Sequence, residues 1–226
     1  MTVSRKVYHF CELFNHAQAL TTTPGQNGWT VKDTSSAGTP TYLVATANGG
    51  GMVLTLASTS EAEIVTMYHD NVLVFDLRTI QHVEMIVSVA GIDAVTTLVF
   101  GLASAQNDTP DTVSINTWFR MEGSVSTSAL VTETDDNTVN NDDKATGATL
   151  AAVLKRFEID FTNGLNDVRF FVDGERVSPL TTFDMSAVAA DQNVQPFVQL
   201  QKASGTGVPS VTIKKFDIQY TEATGA

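Results

Sequence analysis

Glu158 and Asp160 are the residues whose types and spacing first suggest chemistry. They lie in the alternating segment 157–161, FEIDF, which predicts a β-strand. Both carboxylates then share one side of that strand, about 6.6 Å apart along it. Retaining glycosidases hold two carboxyl groups about 5–5.5 Å apart. The pair is therefore either half of a sugar-cleaving site or the polar face of a strand.

Histidines and an acidic segment are the other candidates for metal or acid–base chemistry. The spacing of His9, His16, His69 and His82 matches no metalloprotease or zinc finger, so we predict edge or surface histidines. The segment 135–143, DDNTVNNDD, offers oxygen ligands for calcium but not at EF-hand spacing. We interpret it as a solvated acidic loop within a polar loop over 135–147.

Four aromatic side chains are candidates for stacking on sugars, namely Trp29, Trp118, Phe171 and Phe197. Two tryptophans are few for a dedicated carbohydrate binder, and both are more typical of a core or its rim. The single cysteine, Cys11, stands among apolar neighbours, so we predict a small core residue and no intrachain disulfide.

Short runs of period-2 alternation, broken by Gly, Pro, Asn, Asp and Ser, dominate the chain. They predict an all-β fold of about a dozen strands in two packed antiparallel sheets, a β-sandwich of the jelly-roll type. We expect one domain over 1–226, with 1–25 as an extended N-terminal arm or an edge strand. Helical spacing occurs only over 148–155, which predicts one or two helical turns.

Two local features are predicted in more detail. Asp173-Gly174 is typical of a type I′ turn, which pairs Phe171 with Arg176 across a hairpin. In the last strand, 210–221, the apolar phase slips by one residue near Lys214-Lys215, which predicts a β-bulge.

Charge and composition exclude several classes of function. The formal charge of −12 argues against nucleic-acid binding. The first ten residues lack the apolar run of a signal peptide, and no window approaches 18 apolar residues, so we expect a protein made in a cytoplasm without a membrane span.

The segment 157–177, FEIDFTNGLNDVRFFVDGERV, resembles the concanavalin A-like lectin/glucanase jelly-roll family, with a match over roughly 115–200. Glucanases of that family carry Glu-x-Asp-x-x-Glu, or a variant one residue longer, on the corresponding strand. Glu158 and Asp160 fit its first two positions, but Asn163 or Gly164 stands where the second glutamate belongs. The general acid is then missing, so the comparison implies a polar strand face and no enzyme.

Several segments, among them 27–34, 116–120 and 194–202, are similar to structural proteins of tailed bacteriophages, either head decoration (cement) or tail-associated subunits. This resemblance implies a non-enzymatic virion protein that binds the major capsid protein or other virion proteins and self-associates. It implies no catalytic, metal or cofactor residues. The alternative is a carbohydrate-binding, receptor-binding module. A lectin should show exposed aromatic rings or a calcium loop on one sheet, and a decoration subunit should show exposed apolar loops.

Overall fold

The structure is a computed structural model, and it describes residues 6–16, 20–45, 49–189 and 192–222. Sixteen strands form in this part of the chain, eight in each of two antiparallel sheets. In chain order they are β1 Val7–Glu12, β2 Thr30–Asp33, β3 Thr41–Val44, β4 Met52–Thr55, β5 Glu63–Tyr68, β6 Phe75–Asp76, β7 Ile80–Ala90, β8 Thr96–Ala103, β9 Ile115–Glu122, β10 Ala129–Asp136, β11 Asn140–Thr149, β12 Lys155–Asp160, β13 Arg169–Val172, β14 Glu175–Val177, β15 Asn193–Lys202 and β16 Ser210–Thr221.

The first sheet has the strand order β14-β13-β12-β7-β16-β4-β3, with β1 beside the second half of β16. The second sheet has the order β11-β10-β9-β8-β15-β5-β2, with β6 beside β15. The helical content of the described residues consists of 3-10 turns at Gln26–Gly28, Leu77–Thr79, Pro110–Thr112 and Leu165–Asp167. The predicted all-β sandwich is therefore confirmed.

The main core lies between the two inner faces, and the predicted alternation sets it. Phe100 and Phe119 of the second sheet meet Phe157 and Phe170 of the first sheet. The ring centroids of Phe100 and Phe157 are 5.0 Å apart, and those of Phe119 and Phe170 are 5.3 Å apart. All four side chains are fully buried. Edge-to-face pairs of this kind add to the stabilisation that apolar burial provides.

The hairpin and the bulge form as predicted. Phe171 pairs with Arg176 across a turn in which Asp173 has φ 52° and Gly174 has φ 86°. In the pairing of β16 with β7, Ile213 lies opposite Val87 and Lys215 opposite Ile86, so Lys214 is the extra residue. The bulge returns Phe216 and Ile218 to the core side.

Two predictions about local structure are wrong. Residues 148–155 form no helix, because their backbone bonds to neighbouring segments of the chain: Leu150 N–H donates to Ser128 O, and Val89 N–H of β7 donates to Ala151 O. The expected loop over 135–147 is a hairpin of β10 and β11. Its turn is held by Asp136 Oδ1, which accepts hydrogen bonds from the N–H groups of Thr138 and Val139.

At the N-terminus, β1 forms an edge strand along β16, while residues 1–5 and 17–19 lie outside the described residues. Cys11 on β1 is exposed, so the prediction of a core cysteine is wrong. The reason is the strand period, because Phe10 and Glu12 point inward and Cys11 points outward beside Asp217. Partial burial and Asp217 together raise the pKa of its thiol.

Within the part of the chain that the structure describes, no helix is long and apolar enough to cross a membrane.

Candidate functional site

The carboxylates that first suggested chemistry lie on the outer face of the first sheet and are engaged in ordinary contacts. Glu158 lies between His82 Nε2 at 3.1 Å and Arg156 Nε at 2.9 Å. Asp160 Oδ1 accepts hydrogen bonds from the backbone N–H and the hydroxyl of Thr162, at 2.8 and 2.6 Å. One residue thus belongs to a surface ion-pair group and the other holds a turn, as the interpretation of a polar strand face predicts.

The aromatic candidates are mostly unavailable for stacking. Trp29, Trp118 and Phe197 are fully buried, and Phe171 is half-buried on the outer face of the first sheet. The acidic segment also lacks a metal geometry, because no group of three or more His, Cys, Asp or Glu side chains in the described ranges is placed to hold an ion.

His9 is exposed, and His16 and His82 are half-buried, but His69 is buried. His9 Nδ1 is 3.6 Å from Asp217, and His16 is near Asn15. His69 is only 5% exposed, so the prediction of a surface histidine is wrong for this residue. The ring of Trp29 packs against its imidazole at a centroid distance of 4.7 Å.

The outer face of the second sheet carries a separate apolar cluster under a loop. Trp118 of β9 stacks on Phe197 of β15 at 5.8 Å between ring centroids. Val113, from the loop 104–114 between β8 and β9, belongs to the same cluster. The loop is fixed across this face, because Gln199 Nε2 donates to Asp108 O at 3.2 Å and Lys32 Nζ donates to Asp108 Oδ1 at 3.1 Å. This loop therefore covers the part of the outer face around Trp118 and Phe197.

Beside this covered part lies a buried carboxylate, Glu133 of β10, which the sequence did not single out. Trp118 Nε1–H donates to Glu133 Oε2 at 2.6 Å, and Arg120 donates to Glu133 Oε1 at 3.1 Å. Arg120 also contacts Asp111, from the covering loop, and Glu122. We call Arg120, Glu133, Asp111 and Glu122 the Arg120 cluster.

The electrostatics of the Arg120 cluster are strongly perturbed. Burial, with a contribution from Asp143, raises the pKa of Glu133 to about 7, even though Arg120 and Trp118 act to lower it. Burial alone would lower the pKa of Arg120, but Glu133, Asp111 and Glu122 together raise it. The guanidinium therefore stays charged, and Glu133 titrates close to neutrality.

An open cleft of about 270 Å³ adjoins this cluster on β9, β10 and β11. Apolar side chains form its floor and polar side chains form its rim. They are Val125, Ala129, Val131 and Ala145 for the floor, and Glu122, Ser126 and Asp143 for the rim. We call it the β9–β11 cleft.

Asp143 reaches the cleft through a local irregularity of the β10–β11 ladder. It has φ 50°, a left-handed conformation that is uncommon for a residue with a side chain. The strand register shifts between Thr132 and Thr134, opposite this residue. Together these features direct its carboxylate toward Glu133. Asp143 belongs to the acidic segment 135–143 that the sequence analysis considered for calcium, but no local signal placed it beside Glu133.

No protein-family model matches the sequence, and a search of curated proteins found no match. Solved structures match the fold. A protein of unknown function from Shewanella oneidensis MR-1 has a TM-score of 0.63 at 10% identity, covering 100% of this chain and 91% of its own. The carbohydrate recognition domain of Emp47p has a TM-score of 0.57 at 13% identity, covering 96% of each chain. A glycoside hydrolase family 16 endo-glucanase from Bacteroides ovatus has a TM-score of 0.61 at 12% identity, covering 92% of this chain and 99% of its own. The chain thus has the concanavalin A-like jelly-roll fold that the sequence predicted.

Proposed function

We propose that this protein binds carbohydrate in the β9–β11 cleft and does not cleave it. The observation that carries the proposal is the composition of the cleft, an apolar floor beside two rim carboxylates, Glu122 and Asp143. A sugar ring has an apolar C–H face and a polar edge of hydroxyl groups. Val125 and Val131 suit the former, and carboxylate oxygens accept hydrogen bonds from the latter.

Exposure supports the same cleft. Val125 is 80% exposed, and Ala129, Asp143 and Ala145 are also exposed, so a ligand can reach the floor. The part of this face around Trp118 and Phe197 is instead covered by the loop 104–114. A carbohydrate recognition domain and an endo-glucanase share the fold, and this likeness adds a fold-level analogy to the argument from the cleft.

Cleavage is a second candidate, which the pKa of Glu133 near 7 and the adjacent Asp143 favour. Two features argue for binding instead. Glu133 is only 3% exposed, and both of its oxygens already accept hydrogen bonds from Trp118 and Arg120. A general acid must reach the leaving oxygen of the substrate.

The test is a glycan array followed by calorimetry with the strongest ligand. Asp143→Asn should weaken binding about tenfold or more, because hydrogen bonds to charged groups are worth about 1.5–3 kcal/mol. Asp142→Asn is the matched control, since Asp142 is the exposed neighbour and does not line the cleft. Equal loss in both variants, or no saturable glycan, would overturn the proposal. Release of reducing ends from a bound glycan would overturn its non-enzymatic part.

The virion setting stays a prediction that no comparison tests, and no comparison supports a capsid decoration role. Exposed apolar side chains such as Leu180 and Val153, at 100% and 70% exposure, are the feature expected of a decoration subunit. Mass spectrometry of purified virions tests this setting, and absence of the chain would contradict it.

A further inference from the structure

The charge around the β9–β11 cleft selects among glycans. Its rim carries the carboxylates of Glu122 and Asp143, and the adjoining Arg120 cluster adds those of Glu133 and Asp111. Among the described residues, Arg120 is the one cation that pairs with any of these four. Even with Glu133 protonated, three carboxylates remain beside one guanidinium. The cleft therefore lies in a region of negative potential, which concentrates cationic ligands.

The strand register places the apolar floor between carboxylates. Val131 and Ala145 are paired across β10 and β11 and form the centre of the floor. Asp143, two residues from Ala145, lies beside Glu133 at one end of the floor. Glu122 lies at the other end, four residues farther along the strands, or about 13 Å. A short oligosaccharide laid along the strands would thus meet apolar side chains at its centre and a carboxylate at each end.

Asp143 is the carboxylate that lacks a cation. The structure shows no ion pair between Asp143 and any described lysine, arginine or histidine. Its interaction is with Glu133, whose pKa it raises. When both are ionised, two like charges lie side by side on neighbouring strands, an arrangement that destabilises a sheet. A bound cation would offset this repulsion, because it attracts both carboxylates.

The same charges discriminate between classes of sugar. The carboxylate of an acidic sugar would be repelled by Asp143 and Glu122, and a neutral sugar can offer them only uncharged hydroxyl donors. An ammonium group carries three N–H donors, and hydrogen bonds between ionised partners are the stronger ones. A sugar with an ammonium group still has an apolar C–H face for Val131.

We propose that the glycan bound in the β9–β11 cleft is an amino sugar, with its ammonium group at Asp143 and its ring on Val131 and Ala145. This inference rests on the proposed function, carbohydrate binding in this cleft, and adds the charge of the ligand. An ammonium group on a further ring binds Glu122 at the other end of the floor. That contact contributes less, because Arg120 already neutralises Glu122.

Three probes of equal length test the charge of the ligand by calorimetry in a slightly acidic buffer, where sugar amines are protonated. They are the tetramer of glucosamine, the tetramer of N-acetylglucosamine, and tetralysine. The glucosamine tetramer should bind about tenfold more tightly than the N-acetylated one, the effect of a hydrogen bond to a charged group. Added salt should narrow that difference. Tetralysine should bind more weakly than the glucosamine tetramer, because it has no ring to cover the apolar floor.

Matched variants assign the preference to the cleft. Asp143→Asn should reduce the preference for the glucosamine tetramer to about twofold or less, since the charged hydrogen bond is lost. Asp142→Asn, at a residue that does not line the cleft, should keep the preference. Val125→Lys and Val125→Glu remove the same methyl groups and add opposite charges. The first should weaken binding of the glucosamine tetramer and the second should strengthen it, while Val72→Lys, outside the cleft, should leave it unchanged.

The outcomes separate this inference from the proposed function. Equal affinity for the two sugar tetramers, or a neutral glycan as the strongest ligand, would overturn the inference and leave carbohydrate binding in place. Tetralysine binding as tightly as the glucosamine tetramer would overturn it too, because charge alone would then suffice. Equal losses in Val125→Lys and Val125→Glu would also overturn it, even if Asp143→Asn does not fold. Saturable binding of no glycan at all would overturn the proposed function as well.

Discussion

Glu158 and Glu133 occupy similar positions on the outer faces of opposite sheets, yet their surroundings differ. Each contacts an arginine on the same outer face, Arg156 in one case and Arg120 in the other. The side chain of Arg156 is 47% exposed and that of Arg120 is 10% exposed. The loop 104–114 accounts for the difference, because it covers the second sheet and brings Asp111 to Arg120.

The comparison separates residue type from environment. Residue type and spacing drew attention to Glu158, while burial gives Glu133 its unusual pKa. A carboxylate paired with a half-exposed arginine gains little from that pair, but a carboxylate buried beside a buried arginine depends on its partner. The following predictions measure how large this difference is.

The largest effect is expected from removing the buried cation. Arg120→Met should lower the free energy of unfolding at about pH 8 by about 3–5 kcal/mol, because Glu133 is left buried and unpaired. Arg156→Met should cost less than about 1 kcal/mol, since the side chain of Arg156 is 47% exposed and Glu158 keeps His82 as a partner. Urea unfolding of both variants measures the two values, and similar losses would contradict the contrast drawn here.

The pH dependence of the free energy of unfolding should report the titration of Glu133 directly. Its pKa of about 7 in the folded protein is above its ordinary value of 4.5, so the folded state holds the proton more tightly. Its contribution to stability is therefore complete below about pH 4.5 and is lost as the pH rises through about 7, by about 3 kcal/mol in all. Glu133→Gln should remove this loss, and an unchanged slope between about pH 5 and pH 8 would contradict it.

Asp143 should have a smaller effect on the same group. Asp143→Asn removes a carboxylate that raises the pKa of Glu133, so that pKa should fall. At about pH 8 the variant should be more stable than the unmodified protein by less than about 1 kcal/mol, as expected for an exposed charge. Carboxyl carbon shifts of Glu133 report the pKa, and Asp142→Asn serves as the control.

The smallest effect is expected at Glu158. Glu158→Gln should change the free energy of unfolding by less than about 0.5 kcal/mol, because His82 and Arg156 remain solvated without it. The variant should also keep the change in unfolding free energy between about pH 5 and pH 8 that is assigned to Glu133. A loss as large as that of Arg120→Met would show that the ion pairs of Glu158 on the outer face of the first sheet stabilise the fold as strongly as the Arg120 cluster does.

The fold was predictable where the determining signal is local. Period-2 alternation predicted the strand at 157–161, and the Asp173-Gly174 turn fixed the hairpin register. The extra residue near Lys214 was visible as a slip of phase. Each of these features is determined by residues close together in the sequence. None of them depends on which distant segment packs against the sheet.

The candidate sites were not predictable because they depend on distant segments. Glu133 is perturbed by the loop 104–114, and Asp143 is directed by a left-handed bulge. His69 is buried by Phe10, which lies on a strand far away in sequence. Cys11 was misplaced for a related reason, since apolar neighbours in sequence do not determine which face a strand residue occupies.

The bulge at Lys214 has a consequence for how the molecule opens. It stands where β16 changes neighbours, since Ile213 pairs with Met52 of β4 and Phe216 pairs with Glu12 of β1. The strand β16 thus forms one short ladder with β4 and another with β1, and the β-bulge lies between the two. Local unfolding is cooperative within such units. The amide hydrogens of β1 should therefore exchange with solvent as a group of their own, while the β4 ladder on the same strand stays closed.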